Sequence, residues 1–291
     1  MFDSAVLIAD LKTLSSDEMQ GRQIGTPGGQ MAREFVIKRF KESGIQPFGG
    51  DFAQPFTAAG RAGDRQGINV VGQIEGRTRK DKFIVVSAHY DHIGVRGTTV
   101  NNGADDNASG TAALFAVAKY FSTHKPATSI IFAAFDGEEA GLLGSKAFVA
   151  KPPVPVESIV VNVNMDMIGR EPNDRLFAVG VRFNPFLRPY IESVAAKAPV
   201  KLIIGHENPA GARNSSEEDW SGDSDHASFQ RAKIPAIYLG VEDFEQHHRP
   251  TDDFETMSFD FYVRAVETSI ALTMEFDVRA LDILKARSES K

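Results

Sequence analysis

The chain has 291 residues, of which 42% are hydrophobic, and its formal net charge at pH 7 is -7. The length allows one full hydrophobic core, and the acidic charge argues against nucleic acid or an anionic membrane surface as a partner. The absence of cysteine excludes thiol catalysis, cysteine-ligated zinc and disulfides. No apolar run reaches the roughly 18 residues of a membrane-spanning helix, and the first residues lack the basic region of a secretory signal.

The first 66 residues are predicted to form a helical and irregular lead-in. A helix capped by Asp3 or Ser4 is expected through residue 14, and Thr26-Pro27 supplies a cap and a proline at the first position of a second helix. That helix is expected to stop at Gly44. Residues 46–67 are rich in Gly, Pro and Ala, which predicts an irregular surface connection.

From residue 68 onward, buried strands alternate with helices. Residues 68–74 and 83–88 are predicted strands, and Glu75-Gly76-Arg77 between them has the composition of a hairpin-like turn. The later expected elements are helices over 109–121, 140–149, 185–198 and 258–276, and strands over 129–135, 159–165, 175–179, 200–204 and 236–239. This order predicts a three-layer α/β fold with a mostly parallel mixed sheet and helices on both faces. The charged tail over 285–291 is expected to be disordered.

Histidines and carboxylates follow several of these strands. In sheets of this type, ligands bind beyond the carboxyl ends of the strands, and imidazole together with carboxylate suits zinc or its neighbours. Five candidate metal ligands fall at such loop positions: His89, Asp106, Glu139, Asp166 and His248. Three carboxylates and two neutral imidazoles would leave two divalent ions with net positive charge, enough to lower the pKa of bound water from about 15.7 toward 7.

Six segments of the chain resemble, in order, the motifs of the M28 family of zinc-dependent aminopeptidases. They are His89-Tyr90-Asp91, Gly103 to Gly110, Asp136 to Gly141, Asn164 to Met167, Ser224-Asp225-His226 and His248 to Asp252. The resemblance implies a single peptidase domain over 1–291 with a zinc exopeptidase-like fold, in which residues 67–280 form the catalytic α/β core.

The resemblance also implies a role for each site residue. Asp106 would be shared by two zinc ions, with Mn²⁺ or Co²⁺ as possible substitutes. His89 and Asp166 would complete one metal, and Glu139 and His248 the other. Glu138 would be the general base for a water held between the metals, and Asp91 the partner of His89. Asp105 in place of Asp106, and His247 in place of His248, remain open alternatives.

The implied activity is that of an exopeptidase that removes residues from peptides with a free amino terminus. Acidic groups near the metals would set the preference for a free amine, and Glu217, Glu218 and Asp219 are candidates for that role. A carboxypeptidase, a dipeptidase, a glutaminyl cyclase-like enzyme and a binding module without catalysis are the alternatives. Taken alone, Glu138-Glu139 could be a solvated helix start, and Asp225-His226 is interpreted as a helix cap. The compartment is open: secreted or periplasmic by resemblance if a signal segment was removed, otherwise cytoplasmic. The oligomeric state is likewise open.

Overall fold

The structure is a computed structural model that describes residues 2–59, 63–207, 218–242 and 245–289. Its α-helices are α1 (Ser4–Leu14), α2 (Pro27–Glu42), α3 (Gly110–Thr123), α4 (Leu143–Ala150), α5 (Arg188–Ala195), α6 (His226–Arg231), α7 (Phe259–Val278) and α8 (Ala280–Glu289). Its strands are β1 (Gln46–Pro47), β2 (Ala53–Ala58), β3 (Arg65–Ile74), β4 (Arg79–His89), β5 (Val95–Arg96), β6 (Thr99–Val100), β7 (Thr128–Phe135), β8 (Ile159–Met165), β9 (Arg175–Val179), β10 (Lys201–Ile204) and β11 (Ala236–Gly240).

Nine of these strands form one mixed sheet in the order β1-β3-β7-β4-β8-β11-β9-β10, with β2 paired to β3, while β5 and β6 form a separate small hairpin. The central strands β7, β4, β8 and β11 run parallel to one another. Strands β3 and β9 run antiparallel to their neighbours β7 and β11. The carboxyl ends of the four parallel strands therefore meet at one edge, which is where a ligand site is expected.

Both faces of the sheet are covered, because alternate residues of each central strand enter different cores. On β4, Ile84 and Val86 pack with α1, α2, α3 and α7, whereas Phe83 and Val85 pack on the opposite side. There the rings of Phe135, Phe148 and Phe229 bring β7, α4 and α6 together, with centroids 5.5–6.1 Å apart. This confirms the predicted three-layer α/β architecture.

The lead-in begins as its capping residues predict. The Asp3 carboxylate accepts a hydrogen bond from the backbone N–H of Ala5 at 2.9 Å, and the Thr26 hydroxyl accepts one from Gly29 at 3.2 Å. Each side chain satisfies one of the free N–H groups at a helix start. No helix in the described part of the chain is long and apolar enough to span a bilayer.

Three local predictions are wrong. Residues 46–67 hold β1, β2 and the start of β3, because β2 pairs antiparallel with β3 from Ala53 to Ala58. The turn at Glu75-Gly76-Arg77 does not join a hairpin, since β7 lies between β3 and β4. The disorder predicted over 285–291 is wrong for 285–289, which are helical, and Arg287 donates to the carbonyls of Ile159 and Lys233 at 2.8 and 2.7 Å. Residues 290 and 291 lie outside the described residues.

Candidate metal centre

The five predicted ligands come together at the carboxyl edge of the sheet. His89 is the last residue of β4, and Asp166 directly follows β8. Glu139 lies four residues after the end of β7, while Asp106 comes from the turn that precedes α3. His248 comes from the loop after β11. Parallel strands thus place side chains that are far apart in sequence at one edge of the sheet.

Asp106 lies between the two predicted imidazole ligands. Its Oδ1 is 3.4 Å from His89 Nε2, and its Oδ2 is 3.2 Å from His248 Nε2. A second carboxylate approaches the same nitrogen of each imidazole: Asp166 Oδ1 is 3.2 Å from His89 Nε2, and Glu139 Oε2 is 2.9 Å from His248 Nε2. This arrangement has the form required of a carboxylate that is shared by two cations.

Asp105 and His247, the alternatives to Asp106 and His248, make different contacts from those two residues. The Asp105 carboxylate accepts from the Gly169 N–H at 2.8 Å. The Nε2 atom of His247 is 3.4 Å from Asp106 Oδ2, and its ring lies 3.9 Å from that of His248. His248 contacts both Asp106 and Glu139, so the geometry favours it as the ligand, and it favours Asp106 as the shared carboxylate.

Buried side chains hold the ligand loops in place. Asp252 accepts from the backbone N–H groups of Asp105 and Asp106 at 3.0 and 3.1 Å, and it pairs with Arg170. The Ser224 hydroxyl donates to Asp166 Oδ2 at 2.6 Å. Since each of these contacts fixes a ligand or its backbone, the geometry of the centre depends on residues outside the ligand set.

Asp91 connects His89 to Glu138. The nearest acceptor to His89 Nδ1 is the backbone carbonyl of Asp91 at 3.1 Å, while the carboxylate Oδ1 is 3.6 Å away. That carboxylate oxygen accepts from the Glu138 N–H at 3.0 Å. Asp91 thus orients the histidine chiefly through its main chain and fixes the turn that carries Glu138 through its side chain.

Arg22 fastens the lead-in to the same loops. Its side chain is fully buried, and it donates to the carbonyls of Tyr90 at 2.9 Å, Gly103 at 2.9 Å, Asn102 at 2.5 Å and Leu14 at 2.6 Å. Burial lowers the pKa of the guanidinium to about 10, while Asp106 and Asp252 oppose the shift. No sequence pattern pointed to Arg22, because it lies more than sixty residues from the loops that it holds.

The pKa values of the predicted ligands are shifted because these side chains lie so close together. Burial alone would raise the pKa of Asp106, but the imidazoles of His92, His247, His248 and His89 hold it well below its ordinary value. Hydrogen bonds from Asp106 and Glu139 raise the pKa of His248 to about 10. Burial and Asp106 raise the pKa of Glu139, but His248 and His92 outweigh them, so the pKa lies below its ordinary value. The carboxylates are therefore held ionised, as metal ligands require, whereas a histidine ligand must give up its added proton before it binds a metal.

Glu138 faces the cavity beside this cluster. One oxygen of Glu138 lies within 4.8 Å of a ligand atom of His89 and of Asp166. The cavity has a volume of about 160 Å³, and its lining consists of Asp106, Glu138, Glu139, Asp166, Met167, Glu218, Trp220, Asp223, Tyr238, Val241, His247 and His248. Burial raises the pKa of Glu138 well above its ordinary value, and Asp166, Asp225 and Glu139 raise it further.

Several other predicted residues stand apart from the cluster of ligands. Asp225 occupies the residue before α6, but its side chain makes no capping hydrogen bond, so the predicted cap is wrong in that respect. Burial raises the pKa of this carboxyl to about 7. Glu218 lines the cavity, while Asp219 pairs with Arg182 at 3.8 Å. Glu217 lies outside the described residues.

The donor set fits divalent cations. Three groups of side chains bring ligand atoms within 4.8 Å of one another: Asp106, His247 and His248; His89, Glu138 and Asp166; and His92, Asp106 and Glu139. Within them, the buried Oε1 of Glu139 and both ring nitrogens of His92 have no hydrogen-bond partner. Imidazole nitrogen and carboxylate oxygen are the donors that zinc takes in catalytic sites.

Comparison with known proteins agrees with this chemistry. The model of peptidase family M28 matches residues 69–273. A probable zinc metalloprotease of Pyrenophora teres f. teres is 28% identical over 298 residues, covering 90% of this chain and 60% of the relative. The chain therefore spans about three fifths of that relative's length.

Solved structures share the fold. A zinc aminopeptidase from Bacillus subtilis superimposes with a TM-score of 0.74 at 16% identity, covering 94% of this chain and 95% of the other. A glutaminyl cyclase from Porphyromonas gingivalis also gives 0.74, at 19% identity, covering 97% and 98%. At these identities the likeness concerns the fold, and two different activities occur on it.

Proposed function

Because the chain belongs to peptidase family M28, we propose that it is a di-zinc metallo-exopeptidase that removes amino-terminal residues from peptides. The placement of Asp106 between His89 and His248 is the observation that carries this proposal. A carboxylate with one oxygen toward each imidazole is suited to bridging two cations. His89 and Asp166 would complete one zinc site, and Glu139 and His248 the other.

Bound zinc would supply Lewis-acid polarisation of the scissile carbonyl and would lower the pKa of a water molecule from about 15.7 toward 7. The protein's own contribution to the reaction is proton transfer by Glu138. A Glu138 oxygen takes a proton from the attacking water, the new C–O bond forms as the C–N bond breaks, and the same proton passes to the departing amine. A raised pKa suits this exchange, because a general base works best when its pKa approaches the working pH.

The cavity supports a substrate with a free amino terminus. Besides the ligands and Glu138, its wall carries the carboxylates of Glu218 and Asp223. Burial raises the pKa of Asp223, and Asp219 and Glu218 raise it further, so negative charge accumulates on that wall. A protonated amine would relieve this repulsion, whereas a carboxylate terminus would add to it. The wall thus favours an aminopeptidase over a carboxypeptidase.

The role of Glu138 is tested with Glu138→Gln. We expect this variant to keep its zinc and to lose about 10²–10⁴-fold in kcat, because the amide cannot accept the proton. Zinc content by elemental analysis and hydrolysis of aminoacyl-anilides provide the two measurements. Glu139→Gln is the matched control, one residue away, and should lose metal as well as turnover. A Glu138→Gln protein with nearly full activity would remove Glu138 from the mechanism.

A panel of substrates separates the alternatives. Free aminoacyl-anilides should be cleaved, and amino-terminally blocked anilides and carboxyl-terminal substrates should be cleaved poorly. Cleavage of dipeptides without cleavage of the anilides would indicate a dipeptidase. A glutaminyl cyclase-like activity, which the Porphyromonas gingivalis neighbour makes worth testing, would instead convert peptides that begin with glutamine without releasing an amino acid. Zinc-loaded protein that leaves every substrate unchanged would indicate a binding module.

A further inference from the structure

His92 is a buried imidazole that the proposed chemistry leaves without a role. Its exposed fraction is 0%, and its Nδ1 atom lies 2.7 Å from Glu139 Oε1 and 3.5 Å from Asp106 Oδ2. The other Glu139 oxygen faces His248 at 2.9 Å. Glu139 therefore stands between two imidazoles, with one oxygen toward each.

The short distance determines which form of His92 can occupy this position. A nitrogen lone pair and a carboxylate oxygen at 2.7 Å would repel each other, so a proton belongs between them. The neutral Nδ1–H tautomer would supply that proton. As placed, the ring is turned from that line, so neither Nδ1 nor Oε1 has a hydrogen-bond partner, and a rotation of the ring would complete the contact. Such a contact stabilises the folded protein more when it is buried, because a buried carboxylate oxygen without a hydrogen-bond donor costs free energy.

The backbone leaves room for this ring and for little else. A side chain on Gly103 would place its Cβ 2.5 Å from His92 Cδ2, closer than atoms approach. Gly103 also has a φ of 56°, which favours glycine. The loop that leads to Asp106 thus packs its bare backbone against the His92 ring, which confines the imidazole beside Glu139.

We propose that His92 is a positioning residue that holds the Glu139 carboxylate through an Nδ1–H hydrogen bond, so that its other oxygen is presented to the metal shared with His248. This rests on the proposed di-zinc function, in which Glu139 is a ligand. Partners of this kind orient metal ligands, and their loss typically costs about 10–100-fold in metal affinity. His92 would serve Glu139 as Ser224 serves Asp166.

Three substitutions test the role. His92→Phe keeps the ring and removes the donor. His92→Asn places an amide N–H near the position of Nδ1, whereas His92→Gln places it near that of Nε2. We expect competitive chelator titration to show one of the two zinc ions bound about 10–100-fold more weakly in the Phe and Gln variants, with the Asn variant within a few-fold of wild type.

The tautomer is a readout that neither activity nor folding alone would produce. Nitrogen-15 NMR of the metal-free protein should show a proton on His92 Nδ1, and zinc should not displace it. A zinc-induced loss of that proton would make His92 a direct ligand and overturn the positioning role. Equal zinc affinity in all variants, or equal weakening in Asn and Gln, would also overturn it. Failure of the proposed function is distinguishable, because wild-type protein would then bind zinc without cleaving peptides.

Discussion

His226 shows how burial alone can change the protonation of a side chain near the metal centre. Its imidazole is fully buried and stacks on Tyr238 with ring centroids 5.0 Å apart. Desolvation lowers its pKa from 6.5 to about 3, and the Coulombic effect of Arg231 lowers it further. His226 therefore stays neutral in the folded chain at any pH at which the protein is expected to work.

This shift predicts a pH dependence of stability that can be assigned to one residue. Below pH 6.5 the unfolded chain binds a proton on His226 and the folded chain does not. The contribution of this residue to the free energy of unfolding is therefore lost as the pH falls from 6.5 toward 3. We expect His226→Phe, which keeps an aromatic ring against Tyr238, to remove up to about 1.4 kcal/mol per pH unit from the slope of unfolding free energy between pH 4 and 6. Denaturant unfolding at several pH values measures it. Parallel curves for the two proteins would show that His226 does not remain neutral.

At the scale of elements, the lead-in helices are part of the metal centre's support. Arg22, between α1 and α2, donates to the carbonyls of Tyr90, Asn102 and Gly103, next to the loops that carry His89 and Asp106. A guanidinium offers five N–H donors in a planar fork, which an ammonium group cannot reproduce. The positions of His89 and Asp106 therefore depend on a residue of the lead-in.

We expect Arg22→Lys to lose about 2–4 kcal/mol of unfolding free energy, since several buried carbonyls lose their donors. It should also release zinc faster, because the loops that hold His89 and Asp106 loosen. Arg39→Lys is the matched control: Arg39 joins α2 to Asp10 of α1 at 2.7 Å, away from the metal centre. That control should lose some stability and keep its zinc. An Arg22→Lys protein that holds zinc as tightly as wild type would contradict the coupling.

Local patterns in the sequence predicted the elements whose causes are local. The caps Asp3 and Thr26 and the continuous apolar run of β7 identify their elements from neighbouring residues alone. The pairing of β2 with β3 and the insertion of β7 between β3 and β4 depend on contacts across the sheet, which composition does not record. Arg287 illustrates the same limit, because a charged tail reads as solvated until its partners Ile159 and Lys233 are known.

The same distinction applies to the site. His89, Glu138, Glu139 and Asp166 could be predicted because each lies close after a strand of recognisable pattern. His92 was next to a predicted residue, yet its contact with Glu139 spans 47 positions and depends on how two loops fold over each other. The roles of these residues stay predictions until metal and activity are measured.

For the whole molecule, the dominant electrostatic feature is the collection of buried acids at one edge of the sheet. Asp91, Asp105, Asp106 and Asp225 are buried, and Glu139 is largely so, within a chain that already carries a net charge of -7. Burial raises the pKa of Asp105 to about 7, and Asp252 raises it further. The folded chain thus concentrates negative charge where divalent cations would neutralise it.

Removing divalent ions should consequently destabilise the entire fold, because an ion that binds only the native state stabilises it by mass action, by about 4 kcal/mol when its free concentration is 1,000 times its dissociation constant. We expect the melting temperature to fall on the order of 10 °C in a chelator and to return when zinc is restored. Magnesium is the matched control: it prefers six oxygen ligands and should not replace zinc at imidazole, so it should restore little. Differential scanning calorimetry on chelated, zinc-restored and magnesium-treated protein makes the comparison. If the chelated and the untreated protein had the same melting temperature, protons rather than metal ions would have to neutralise the buried acids at this edge.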